Sequence, residues 1–107
     1  MAKRKNDFSA KTKRVVAGRV GYRCSIPSCG RVTIGPNSLP RRVANTGRAA
    51  HIFSAAERGP RGHGGLTAEQ LRSESNAIWL CAEHADLVDK NRGESYPPAL
   101  LLSYKHL

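Results

Sequence analysis

The sequence contains few aromatic residues, few cysteines and no long hydrophobic run. Aromatic residues make up 6% and hydrophobic residues 39% of the 107 positions, so a single domain of this length would have a thin core. Three cysteines cannot all pair, which argues against a disulfide framework. No stretch approaches the roughly 18 apolar residues of a membrane span, and no apolar segment follows the basic N-terminus as in a secretory signal. These absences predict a cytoplasmic protein without a membrane partner, in which a bound metal compensates for the thin core.

The net charge of +10 is unevenly distributed along the chain. Residues 1–72 carry 15 Lys and Arg against three acidic residues, whereas residues 73–107 carry three against five. The strongly basic first part of the chain predicts a surface that binds a polyanion. The more acidic C-terminal part predicts a separate site at which carboxylates bind a cation. Solubility alone would also explain the basic residues, but charge together with the metal-site pattern described below favours nucleic acid as the partner.

Helix caps, chain breakers and apolar spacing predict the order of helices and strands. Ser9 and Thr67 are the predicted caps of the first two helices, with Gln70 at the third position of the second. Residues 1–8 are predicted to form a flexible basic arm, and residues 30–45 and 57–65 are predicted to be loops. Trp79 is assigned to the core, and Leu87 and Val88 are predicted to face inward. The predicted helices cover residues 9–20, 68–73, 83–90 and 99–107, and the predicted strands cover residues 47–53 and 76–81.

Three cysteines and one histidine form two short-spaced pairs in distant parts of the chain. Four residues separate Cys24 from Cys29, and two separate Cys81 from His84. Zinc is typically held by four thiolate or imidazole ligands in two such pairs, and a closed set of four indicates a structural site because catalytic zinc needs an open position. The alternative is that Cys81 is a small buried hydrophobe and His84 a surface residue. The pattern favours a structural zinc.

Four motifs follow one another in the middle of the chain: Gly47-Arg-Ala-Ala-His-Ile52, Gly59-Pro-Arg-Gly62, Asn76-Ala-Ile-Trp-Leu-Cys81 and the Cys-x-x-His that ends at His84. With these motifs the chain resembles the HNH endonuclease family. The similarity runs from residue 22 to residue 89. It implies an α+β domain with the ββα-metal fold, in which two antiparallel strands and a helix surround a divalent cation and a zinc knot supports them.

The chain also looks like one particular version of this family, the N-terminal nuclease of bacterial anti-phage effectors. In those proteins a C-terminal domain senses a cyclic nucleotide and switches on DNA degradation. On this view residues 9–107 are the nuclease domain of an antiviral defence protein. The last predicted helix stops on Leu107 without a capping residue, which favours an N-terminal fragment of a longer protein.

The resemblance implies catalytic roles for two residues. His51 stands where the family has its general base, and an imidazole that titrates near neutral pH is suited to activating a water molecule. Asn76 matches the family's central asparagine, which orients the base or fixes the loop; a side-chain amide can do either because it both donates and accepts. Without the surrounding motif, His51 would be interpreted as an ordinary core or surface histidine and Asn76 as a turn residue.

The expected ligands of the catalytic cation depart from the family's pattern. Ala50 and Ala85 stand where many members have a metal ligand, and an alanine side chain cannot bind a cation. Asp89 lies one helical turn beyond Ala85, and its oxygens suit Mg²⁺ or Mn²⁺. Asp89 is therefore the candidate ligand, with Asp86 as the substitute and a solvated carboxylate as the alternative interpretation.

Eight cationic side chains are predicted to contact phosphate. Arg48 and Arg61 flank the candidate base. The others form a sequence-independent phosphate track: Lys3, Arg4, Lys5, Lys11, Lys13 and Arg14. The alternative for Arg61 is an arginine in a flexible exposed loop. No aromatic platform for single strands is evident, so duplex DNA is the predicted substrate.

The sequence thus predicts an endonuclease that hydrolyses duplex DNA with little sequence specificity, using structural Zn and catalytic Mg or Mn. A double-strand cut needs two active sites, which would be consistent with a homodimer. The main alternative is a zinc-stabilised, non-catalytic DNA-binding module, which would account for Ala50 and Ala85. A structural RNA-binding or ribosome-associated zinc protein is the third class, favoured only by basicity and size.

Overall fold

A computed structural model describes residues 6–54, 61–62 and 64–107 of the chain. Over this range the chain forms a mixed α+β domain, as predicted, with four α-helices and two small antiparallel sheets. Short 3₁₀ turns at Glu74–Asn76 and Lys90–Gly93 flank the last strand and the third helix. None of the helices in the described part is long and apolar enough to cross a membrane. The elements are α1 (Ala10–Arg19), β1 (Ile34–Pro36), β2 (Val43–Asn45), β3 (Gly47–His51), α2 (Ala68–Leu71), β4 (Ala77–Cys81), α3 (Ala82–Leu87) and α4 (Pro98–Lys105).

Two helices begin at the predicted capping residues. The hydroxyl of Ser9 accepts a hydrogen bond of 3.1 Å from the backbone N–H of Thr12 and so starts α1. Thr67 and Gln70 form a complete capping box at α2, in which each side chain accepts a hydrogen bond from the other residue's backbone N–H. These local hydrogen bonds satisfy N–H groups that have no partner within the helix.

The antiparallel pair β3–β4 lies between two hydrophobic clusters. Gly47 pairs with Cys81 and His51 pairs with Ala77, and side chains alternate between the two faces of the sheet. One cluster lies on the α1 side and the other on the side of α3 and α4. The first contains Phe8, Val16, Ala17, Ala77 and Trp79, and the second includes Ile52, Ile78, Leu80, Ala85, Val88 and Leu101.

Trp79 is 4% exposed, so its assignment to the core is confirmed. Its indole N–H donates to the hydroxyl of Thr33 at 2.9 Å, which satisfies the polar end of the ring. Gly47 lies directly against the ring, since a Cβ at this position would come within 2.4 Å of an indole carbon. A glycine here therefore permits the close approach of β3 to the indole.

Two predictions about the course of the chain are wrong. The predicted loop over residues 30–45 contains the β1–β2 hairpin, in which Ile34 pairs with Asn45. Leu87 is 42% exposed, whereas Val88 is fully buried. The helix α3 ends at Leu87, and Ala85 and Val88, three residues apart, form its buried side.

Phe8 is packed and does not belong to the flexible arm predicted over residues 1–8. Phe8 is 3% exposed and belongs to the cluster on the α1 side of the sheet. Residues 1–5 lie outside the described part of the chain, as do residues 55–60 and 63, which make up most of the predicted loop over 57–65. The packed part of the domain therefore begins before the cap of α1.

Candidate metal centre and active site

The four predicted zinc ligands come together in the structure. The ligand atoms of Cys24, Cys29, Cys81 and His84 all lie within 4.8 Å of one another, close enough to hold one metal ion. The Nδ1 atom of His84 is 3.7 Å from the Cys24 sulfur and 3.2 Å from the Cys81 sulfur. Tetrahedral zinc, with bonds of about 2.0–2.3 Å, would hold sulfur and nitrogen about 3.6 Å apart. Three thiols and an imidazole are a donor set that suits zinc.

Local backbone structure presents these four side chains to one point. A tight turn, in which the N–H groups of Cys29 and Gly30 donate to the carbonyl of Ile26, brings Cys29 back towards Cys24. Cys81 is the last residue of β4 and the N-cap of α3, so His84 lies in the first turn of the helix that follows. One ligand pair thus lies in a turn after α1 and the other at the junction of a strand and a helix.

The thiols of this cluster differ in their electrostatic environment. Burial raises the pKa of Cys24 to about 11, against the opposing effect of nearby backbone N–H groups. The backbone N–H of Arg31 is the main cause that lowers the pKa of Cys29. A thiol at Cys24 is therefore protonated at neutral pH without a metal, and a metal ion must displace that proton to bind.

The side chain of His51 is fixed by residues that precede α1. It is 8% exposed, and its Nε2 atom lies 2.9 Å from the backbone carbonyl oxygen of Asn6. Since a carbonyl oxygen can only accept, Nε2 must carry the proton and donate it. The ring of Phe8 stacks on the imidazole with 3.9 Å between centroids and 13° between planes. Nδ1 is then the nitrogen whose lone pair can accept a proton in the neutral ring.

The side chain of Arg61 does not take the position that the sequence predicted. It is 3% exposed, so it is neither an exposed loop arginine nor oriented towards a phosphate in solution. Its guanidinium donates to the carbonyls of His51, Ile52 and Val88 at 2.7–2.8 Å and to the Asp89 carboxylate at 2.8 Å. Arg61 therefore joins the end of β3 to the segment that follows α3.

Asn76 fixes the chain that follows His51. Its side chain is 3% exposed, and Nδ2 donates to the carbonyls of Phe53 and Leu71 at 3.0 Å. Oδ1 accepts from the backbone N–H of Phe53 at 2.8 Å, and the Asn76 carbonyl accepts from the N–H of Ile52. These contacts correspond to the loop-fixing role among the two roles expected for this residue.

The positions where the family resemblance implies cation ligands are apolar and packed. Ala85 is 8% exposed and belongs to the core cluster beside α3, and Ala50 packs against the same cluster. Asp89 is half exposed and binds Arg61 through Oδ1, and Asp86 binds Arg48 in the same way at 3.0 Å. Within residues 6–54, 61–62 and 64–107, the cysteine–histidine cluster is the one group of three or more such donors close enough to share a metal.

The remaining predicted phosphate contacts are exposed on the surface. Lys11 and Arg14 lie three residues apart on the exposed side of α1. Arg48 is more than half exposed, and its ion pair with Asp86 is therefore weak enough to exchange for a phosphate. The basic residues of the N-terminal arm fall outside the described part of the chain.

Two residues that contact His51, Asn6 and Phe8, were not predicted as part of the site, and Arg61 was predicted to bind phosphate rather than backbone carbonyls. An apolar residue directly before a helix cap is a recognised packing signal, and it was available at Phe8. Nothing in the sequence indicated that the Asn6 carbonyl would bind the imidazole, because that contact depends on how the whole chain folds. Comparison with protein-family models and with curated proteins gives no match to this chain.

Proposed function

We propose that this chain is an HNH-type endonuclease that hydrolyses phosphodiester bonds of duplex DNA, with His51 as general base. The order of elements supports the proposal: β3 and β4 are antiparallel, α3 follows β4 at once and contacts both strands. This is the arrangement that a ββα-metal fold requires. The chemistry assigned to it needs a water nucleophile, a base and charge neutralisation at the phosphate.

The observation that carries the proposal is the way His51 is held. Asn6 accepts the proton of Nε2, Phe8 stacks on the ring, and Arg61 binds the backbone carbonyl of His51 at 2.8 Å. The first contact sets the tautomer, so that Nδ1 carries the lone pair of the neutral ring. Together these contacts fix both the ring and the backbone of His51 at the end of β3.

We assign the cysteine–histidine cluster to one structural zinc ion. All four ligand positions are filled by protein side chains, so the ion would have no open position for water or substrate. The cluster joins the turn after α1 to the start of α3, and its contribution is to hold these elements on the sheet. The catalytic steps are left to residues outside it.

A hard cation such as Mg²⁺ or Mn²⁺ would supply charge neutralisation at the phosphate when bound. Asp89 is the ligand that we assign to it. A carboxylate has two oxygens, so the pairing of Oδ1 with Arg61 still leaves Oδ2 as a donor. Because Ala50 and Ala85 add no ligand, the protein's own ligand set is small, and binding of the cation would depend on phosphate oxygens of the substrate.

A zinc-stabilised DNA-binding module without catalysis is the second candidate. The packing of Ala50 and Ala85 into apolar surroundings favours it, since the core occupies the positions where cation ligands would stand. It gives His51 a packing role only. The two candidates agree on DNA binding and differ in cleavage.

Nicking of a supercoiled plasmid separates them. The zinc-loaded chain, its His51→Ala variant and its His106→Ala variant are each incubated with plasmid and Mn²⁺. His106→Ala is the control because it removes an exposed histidine at the C-terminal end of α4. The endonuclease proposal expects cutting by the unsubstituted chain and by His106→Ala, and none by His51→Ala. Binding of the plasmid without cutting by any of the three would favour the DNA-binding module.

A further inference from the structure

The β1–β2 hairpin forms a two-stranded sheet of its own. Among the described residues it pairs with no other strand, and all residues from 36 to 43 are exposed. Large apolar side chains are part of that exposed surface: Leu39 is 51% exposed and Val43 is 64% exposed. The hairpin thus presents both backbone and apolar side chains to solvent.

The base of the hairpin is firmly attached to the core. Thr33 is 2% exposed, and both its N–H and its hydroxyl donate to the carbonyl of Tyr22, at 2.8 and 2.6 Å. The same hydroxyl accepts the indole N–H of Trp79, and the N–H of Thr46 donates to the Thr33 carbonyl at 2.7 Å. The hairpin is thus held at its base by buried hydrogen bonds on both strands.

The tip has a structure of its own. The N–H of Arg42 donates to the carbonyl of Leu39 at 3.1 Å, which closes a four-residue turn with Pro40 at its second position. The Asn37 side chain accepts from the N–H of Leu39 at 3.0 Å. Proline and these two hydrogen bonds restrict the tip before any partner binds, which lowers the entropic cost of binding.

The charge of the tip and its surroundings indicates the partner. Arg41 and Arg42 are adjacent and exposed, and residues 8–56 contain nine Lys and Arg and no acidic residue. Symmetric pairing of two such tips would bring four arginines together, and the net charge of +10 also opposes self-association. A polyanion is the complementary partner.

We propose that the β1–β2 hairpin enters the major groove of duplex DNA, with Arg41 and Arg42 on the flanking phosphates and Leu39 against the groove. The major groove of B-form DNA admits a two-stranded ribbon, and an apolar side chain can contact sugar edges or thymine methyl groups there. The inference rests on the proposed function for the identity of the ligand, duplex DNA. It does not depend on cleavage.

The test measures equilibrium binding of a short fluorescent duplex by the full chain carrying His51→Ala, zinc-loaded and without added Mg²⁺ or Mn²⁺. In this background Arg41→Ala and Arg42→Ala are each expected to lower the slope of log affinity against log salt by about 0.9, and together by about 1.8. Lys90→Ala, which removes one charge from an exposed side chain elsewhere, should leave the slope unchanged. Leu39→Ala should weaken binding several-fold at an unchanged slope, because it removes an uncharged contact.

Folding controls, an RNA competitor and light scattering accompany the binding measurements. The side chains changed in addition to His51 are all exposed, so zinc content and circular dichroism should match those of the His51→Ala parent. An RNA duplex of the same sequence should compete less well, since its major groove is too deep and narrow for a ribbon. Unchanged slopes for both arginine variants, or equal competition by RNA, would overturn the proposal. Light scattering tests the alternative that the hairpin joins two copies of the chain. If the arginine variants lost self-association and bound DNA as tightly as their parent, the proposal would also be overturned.

Failure of the proposed function gives a different result. If His51→Ala cut plasmid as fast as the unsubstituted chain, the assignment of His51 as general base would be wrong. The salt dependence expected for the hairpin variants would not be affected. If the slopes failed and His51→Ala still abolished cutting, the hairpin proposal alone would fall.

Discussion

The ring of Phe8 lies flat on the imidazole of His51, with 3.9 Å between centroids and 13° between planes. Phe8 is also a member of the core cluster between α1 and the β3–β4 sheet. The orientation of the candidate base is therefore set by the hydrophobic core. Stability and activity should respond differently to changes at this contact.

Phe8→Leu keeps an apolar side chain in the core but removes the flat surface on which the imidazole rests. We expect a loss of about 1 kcal/mol in the free energy of unfolding, measured in urea. The plasmid nicking rate should fall by about 10- to 100-fold, because a misplaced catalytic group is costly. Val16→Ala removes volume from the same cluster on α1 and should destabilise the domain without this loss of rate. Equal slowing by both variants would contradict a specific role for the Phe8 ring.

Removal of the metal should unfold much of the domain. The cluster is the link between the turn after α1 and the start of α3, and the folding free energy of small zinc domains depends on their metal. We expect one zinc per chain by elemental analysis, and a chelator or Cys29→Ser should remove it and abolish the cooperative thermal transition. Ser28→Ala, an exposed neighbour of Cys29, is the control and should keep both zinc and transition. An unchanged transition after the zinc has been removed would show that the cluster is not structural.

Arg61 should contribute to stability far more than Arg48. Arg61→Lys keeps the positive charge, and lysine must adopt the same left-handed backbone conformation as arginine at this position. An ammonium group cannot, however, replace a planar guanidinium that donates to three carbonyls and a carboxylate. We expect a loss of about 2–4 kcal/mol in the free energy of unfolding. Arg48→Lys changes an exposed ion pair and should cost less than about 0.5 kcal/mol. Similar costs for the two variants would refute the structural assignment of Arg61.

Features that depend on near neighbours in the chain were predictable from the sequence. The Ser9 cap, the Thr67–Gln70 capping box and the strands around His51 and Trp79 all follow from local patterns. The metal cluster was predictable because two short-spaced ligand pairs are a strong signal even when they are far apart in sequence. In each of these cases a short sequence motif is sufficient to predict the structural feature.

The features that were missed depend on contacts between distant segments. Arg61 lies in a glycine-rich stretch that has the composition of an exposed loop, yet its guanidinium is buried because three carbonyls and Asp89 surround it. The strands β1 and β2 have only three residues each. Gly35 and Pro36 make up two thirds of β1, and both residue types are more typical of loops than of strands. The contact of Asn6 with His51 joins residues 45 positions apart through a backbone atom, which no side-chain pattern can reveal.

The most direct test of the account is chemical rescue of the base. His51→Gly removes the imidazole and leaves room for a free one, and His106→Gly is the matched control. With zinc-loaded protein, plasmid and Mn²⁺, His51→Gly should cut at least about 100-fold more slowly than the unsubstituted chain. Added imidazole should restore part of that rate and should not accelerate the unsubstituted chain or His106→Gly. Cutting by His51→Gly at the unsubstituted rate without imidazole, or no cutting by the unsubstituted chain, would contradict the account.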